Sequence, residues 1–194
     1  MSNDDFDCDF HPELIHPSVF VAESAIIIGD VSIGAESSVW FGAIIRGDVA
    51  RVTIGQRCNA QDGAIIHSTQ GQQVVIGNGV TMAHGAIVHA STIADNVMIA
   101  TRSTVLDKAY IGENSIIGAG AVVIRDIPPN CVAVGNPATV IKELDPERPI
   151  KTRGDWMADP QALAAQFAEI DRDAMKNNTW LGWLRSMICP VRGD

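Results

Sequence analysis

A large aliphatic residue recurs at every sixth position over most of this chain, and few folds accommodate a period of six. The series runs Ile15, Val21, Ile27, Ile33, Val39, Ile45, then Ile54, Ala60, Ile66, then Ile76, Met82, Val88. One residue is then dropped, and Ile93, Ile99, Val105, Ile111, Ile117 and Val123 follow. Sixteen of these eighteen positions are Ile or Val, so the period is not an accident of composition. Helices repeat near 3.6 residues and strands at 2, so neither alone produces six. One short strand plus a corner does. Three such units close a coil of about 18 residues, and stacked coils form a parallel β-helix. Each aliphatic then points inward and stacks on its equivalent at the inter-strand spacing of about 4.8 Å. Aromatic residues are only 5% of the chain, which suits thin strands packed through Ile, Val and Ala.

The expected fold is therefore all-β, a parallel β-helix of about six to seven coils over residues 15–144, with a short extension at residues 1–14. The repeat ends near Asp126, and a charged linker is expected from Lys142 to Asp155. The period then becomes helical. Asp159 and Pro160 read as a helix start, and Leu163, Phe167, Ile170 and Ala174 form an apolar stripe. A second short helix is expected to carry Trp180, Trp183, Leu184 and Met187. Residues 145–194 are thus a linker and a C-terminal α-helical segment, packed on the β-helix or a neighbouring subunit rather than on a membrane.

The net charge of -9 and the absence of a Lys/Arg cluster argue against nucleic acid as a partner. No apolar run approaches the twenty residues of a spanning helix. The start, MSNDDFDCDF, is acidic and has no signal-peptide apolar region. Cys8, Cys58, Cys131 and Cys189 show no CxxC spacing, which predicts reduced thiols and a cytoplasmic protein, with a Cys8–Cys189 bridge left open.

Three of the five histidines fall in register. Call the faces of the coil A, B and C. Ile54, Ala60 and Ile66 fill them in one coil, and Ile76, Met82 and Val88 fill them in the next. The step of 22 residues is one coil plus a four-residue insertion within residues 68–73. His67 and His89 each follow the inward residue of face C, so both should point outward, one above the other and about 5 Å apart at the backbone. His84 lies on face B, two residues after Met82. Outward directions on two faces of a triangular coil diverge by about 120°, so His84 reaches the other two only on a neighbouring subunit. A closed ring of three such contacts predicts a homotrimer with three shared sites. Three imidazoles with an open position suit catalytic zinc. In the same register, Arg46 should lie below His67, Asp62 below His84, Gln61 beside Asp62 in the cleft, and Asn59 at the nearby corner. Arg46 can then pair with a neighbour's Asp62. His11 and His16 are read as structural or solvated.

These segments resemble the γ-class carbonic anhydrase family, a branch of the hexapeptide-repeat proteins. The resemblance rests on VWFGAIIRGDV (residues 39–49), IGQRCNAQDGAIIH (54–67), VTMAHGAIVH (80–89) and VGNPA (134–138). It implies a left-handed coil. It implies metal ligands at His67, His84 and His89, with Zn2+ the default and Fe2+ or Co2+ the alternatives. It places Arg46, Asp48 and Asp62 in a network between subunits, and Gln61 and Asn59 beside the reacting solvent. The implied reaction is reversible hydration of CO2 to bicarbonate, with hydroxide generated at the ion and oriented by Gln61. Two acids associated with proton shuttling in the family are missing: Val49 follows Asp48, and the loop after His67 reads Ser68-Thr69-Gln70. Smaller departures are Ala90, Ala100 and Thr101-Arg102, where relatives usually carry Gly and Met-Gly. Two other readings compete. One is CoA-dependent acyl transfer with an interface histidine as base; the other is a silent binding or assembly subunit.

Overall fold

The computed structural model describes residues 6–150, and the two expected C-terminal helices lie outside the described residues. The chain winds as a left-handed parallel β-helix. On face A, Ile33, Ile54, Ile76, Ile93 and Ile111 pair coil on coil. On face B the column is Val21, Val39, Ala60, Met82, Ile99 and Ile117. On face C it is Ile27, Ile45, Ile66, Val88, Val105 and Val123. Face B forms an eight-stranded sheet. Faces A and C join into one nine-stranded sheet, because the strands Ile26–Ile33 and Ile44–Ile54 run through the corner between them.

The core has a second inward position that the six-residue series does not mark. Two residues before each aliphatic, a small or medium side chain also turns in. Ala43, Ala64 and Ala86 do so on face C, and Cys58, Val80 and Val97 on face B, all fully buried. Pairing one large and one smaller residue per strand fills a triangular section that large residues alone would overfill. Cys58 and Cys131 belong to this set as free, buried thiols, while Cys8 is free and exposed. Burial pushes the Cys58 thiol up to about 11.

The insertion after His67 is a tight hairpin closed by two backbone hydrogen bonds between Thr69 and Gln72, of 3.1 and 2.9 Å. Outside it the register returns, with Ile54 against Ile76. At the earlier irregularity the chains of neighbouring coils approach closely: a Cβ on Gly47 would lie 2.5 Å from the Asp30 carbonyl oxygen.

The stack also continues past Asp126. Ile127 pairs with Ile111, and Cys131–Val134 pairs with Ile116–Ile117. This last partial coil advances 16 residues instead of 18, which takes it out of the six-residue phase. Thr139–Glu143 then folds back antiparallel on Cys131–Val134, so Lys142 and Glu143, expected in the linker, end a strand instead. The turn between them holds the cis bond Asn136–Pro137. Among the described residues no helix is long and apolar enough to cross a membrane.

Candidate metal centre

Arg46, His67 and His89 form one column on the outside of face C. Parallel pairing sets Arg46 against His67 and His67 against His89. The two imidazole centroids are 5.3 Å apart, tilted by 51°. The Arg46 guanidinium donates from Nη2 to His67 Nε2 at 2.8 Å, which places the His67 ring proton on Nδ1. Burial, reinforced by the Arg46 charge, holds the His67 pKa below the ordinary histidine value. His67 is therefore a neutral imidazole, the form that binds metals.

Asp48 reaches the same place. Its Oδ1 lies 3.2 Å from His67 Nε2 and 3.8 Å from Arg46 Nε. That oxygen is inaccessible to solvent and accepts no hydrogen bond, and the cation beside it is Arg46.

His89 is held from the coil above. Its Nδ1 donates to Asp107 Oδ1 at 2.5 Å, leaving Nε2 as the nitrogen with a lone pair. The same bond keeps the Asp107 carboxyl below its usual pKa.

His84 stands at the corner of face B. Its coil sits on the coil of Asp62, whose carbonyl accepts the Gly85 N–H at 2.9 Å. The Asp62 carboxylate approaches His84 Nδ1 at 3.0 Å, again sparing Nε2. Both side chains are about half exposed, at 52% and 47%. Arg102, one coil further up, donates its N–H to the His84 carbonyl at 3.0 Å. Its backbone is left-handed, with φ of 55°, at a corner where Gly42, Gly63, Gly85 and Gly120 hold the same conformation.

Gln61 and Asn59 are buried within the single chain. They are 4% and 2% exposed. The strand there is only Asn59–Ala60, so Gln61 already belongs to the corner, where strict in–out alternation lapses. Asn59 Oδ1 accepts from Ser38 Oγ at 3.3 Å, and Ser38 Oγ accepts from Trp40 Nε1 at 3.1 Å, which ties it into a buried polar row.

Two features escaped the sequence reading. Asp107 is one. The other is a ladder of outward aliphatics beside the histidine column: Ile26, Ile44, Ile65 and Ile87, paired in register along face C. Ile26 is 50% exposed and Ile65 37%. The signal was present, since face C strands carry doubled aliphatics (II before Ile28, Arg46 and His67, and IV before His89).

Among the described residues of one chain, no group of three His, Cys, Asp or Glu side chains is arranged to hold a metal ion. The donor set still suits a divalent metal. Carboxylates take one nitrogen of His84 and of His89 and leave the other to coordinate. At His67 the nitrogen that Arg46 occupies becomes a ligand if the guanidinium turns to another carboxylate. The unsatisfied Asp48 oxygen adds negative potential.

A family model described as bacterial transferase hexapeptide (six repeats) matches residues 90–125. A carbonic anhydrase of Geobacillus kaustophilus is 46% identical over 132 residues, covering 67% of this chain and 72% of that one. Gamma carbonic anhydrase 2, mitochondrial, of Arabidopsis thaliana is 36% identical over 142 residues, 69% of this chain and 51% of that longer protein. Among solved structures, a hexapeptide transferase family protein from Anaplasma phagocytophilum aligns with a TM-score of 0.68 at 30% identity, covering 80% of this chain and 92% of that one.

Proposed function

The chain belongs to the γ-class carbonic anhydrase family, and on that premise we propose that it catalyses the reversible hydration of CO2 to bicarbonate at sites shared between the subunits of a homotrimer. The observation that carries the reading is the His67–His89 pair, outward, in register and 5.3 Å apart, with His89 Nε2 left to coordinate. His84 of a neighbouring subunit is the third ligand, since corner geometry turns it away from the pair in its own chain.

A divalent ion, zinc by default, supplies Lewis acidity and brings the acidity of a water close to neutral pH. The chain's own groups do the rest. Asp62 and Asp107 orient the rings of His84 and His89. Arg46 leaves His67 for the neighbour's Asp62 as the subunits close, which frees His67 Nε2 and ties the interface with a charge-assisted bond. The Ile26–Ile44–Ile65–Ile87 ladder is the apolar part of that interface and keeps bulk water from the column. Gln61 and Asn59 line the polar floor and orient the reacting oxygen. The hairpin after His67 offers hydroxyls and amides but no carboxylate, and Val49 offers nothing titratable. Buffer or solvent therefore takes the proton, and turnover is slow beside shuttle-bearing relatives. The buried free thiols support a reducing, cytoplasmic location.

The likeness to a hexapeptide transferase family protein supports a second reading, acyl transfer with a histidine as base. Stoichiometric metal with CO2 hydration in stopped flow establishes the first reading. Acyl transfer from CoA by metal-free protein establishes the second. A metal-loaded trimer silent in both assays is a binding subunit.

A further inference from the structure

We infer that Asp107 is a positioning residue that sets which nitrogen of His89 faces the neighbouring subunit. The inference rests on the shared-metal reading for its purpose but not for its geometry. The coil above His89 is one residue short, so Asp107, 18 residues after His89, stands one position past the residue directly above it, and its Oδ1 is 2.5 Å from His89 Nδ1. His89 belongs to face C, where Val88 pairs with Val105. Asp107 follows Val105 by two residues and reaches down from the corner, where the Lys108 N–H donates to the Ala90 carbonyl at 2.8 Å. That backbone bond fixes the height of the carboxylate over the ring.

A carboxylate accepts only, so His89 must carry its proton on Nδ1, against the usual preference of a free imidazole for Nε2. Nε2 is then unprotonated, on the side of the ring away from Asp107. The two geometrical needs of a metal histidine, tautomer and ring angle, are met before any ion arrives. Outer partners of this kind are commonly worth 10–100-fold in metal affinity. His67, by contrast, is held at Nε2 by Arg46 and must be released by assembly. The two imidazoles of the column are thus prepared differently: one is ready in the single chain, the other only in the oligomer.

The test compares the full-length wild type with Asp107→Ala and Asp107→Asn. Histidine-labelled, metal-free protein is read by long-range nitrogen–proton NMR, Zn2+ affinity by chelator competition, and mass by light scattering. The expected wild-type His89 is protonated on Nδ1. Asp107→Ala shifts it toward Nε2 and weakens Zn2+ binding 10–100-fold at unchanged mass. Asp107→Asn, whose amide oxygen still accepts, keeps the Nδ1 proton and most of the affinity. An unchanged tautomer in Asp107→Ala overturns the inference, as does an affinity loss that tracks loss of the oligomer. A wild type that is protonated on Nδ1, and shifts in Asp107→Ala, yet takes up no Zn2+ sinks the metal reading while upholding the pairing.

Discussion

His67 and His89 are direct partners across a parallel strand pair, and their rings stand 5.3 Å apart on the outside of the β-helix. This spacing allows both to bind one ion, whereas His84, held by Asp62 at the next corner, faces elsewhere. Removing His84 therefore separates a shared site from a local one. His84→Ala is expected to abolish stoichiometric metal and to weaken the trimer while leaving the coil intact. Elemental analysis and light scattering check it; a mutant trimer with full metal occupancy refutes the sharing.

The outward aliphatic ladder predicts a different separation. Ile65 is 37% exposed and contributes nothing to the inward column. Burying the third of this side chain that remains exposed contributes about 0.5–1 kcal/mol in an interface, and a carboxylate in its place adds a larger desolvation cost. Ile65→Asp should give a folded monomer with an unchanged β-rich circular dichroism spectrum. A stable trimer of this variant would remove face C from the interface.

Acidification acts on His67. Its folded pKa lies below the ordinary value near 6.5, because burial and Arg46 oppose the charged form. The unfolded chain thus binds more protons there. The stabilising contribution is full above about pH 6.5 and is lost as pH falls toward the depressed folded value. Denaturant midpoints of metal-free protein should fall across that window, and His67→Gln should flatten the dependence.

Ala90 predicts a gain. Its φ is 42°, a left-handed conformation that costs a residue with a Cβ about 1 kcal/mol, and it is fully buried at the corner below Lys108. Ala90→Gly should raise the melting temperature by about 2–4 °C. A fall would mean that the methyl packs more than the backbone strains.

The inward register was legible because the coil repeats: once Ile54 and Ile76 are equivalent, every neighbour follows. The His67 and His89 placements inherited that certainty. What escaped lay where the repeat gives no rule. Gln61 occupies a corner, where alternation gives no rule. The Ile127 coil is two residues short and fell out of phase. Asp107 reaches across a corner, and only side-chain geometry reveals its partner. The second inward set, with Ala64 and Cys58, was hidden by small size, since a buried Ala or Cys leaves no hydropathy peak.

The hairpin after His67 is inserted between coils without entering the wall of the β-helix. The gap between His67 and His89 is therefore dictated by peptide hydrogen bonding and not by any side chain. Drift in the core residues can soften or stiffen this protein, but it cannot stretch that bite. On the proposed shared site, metal preference among descendants would then change through whatever the adjoining subunit brings to the third corner.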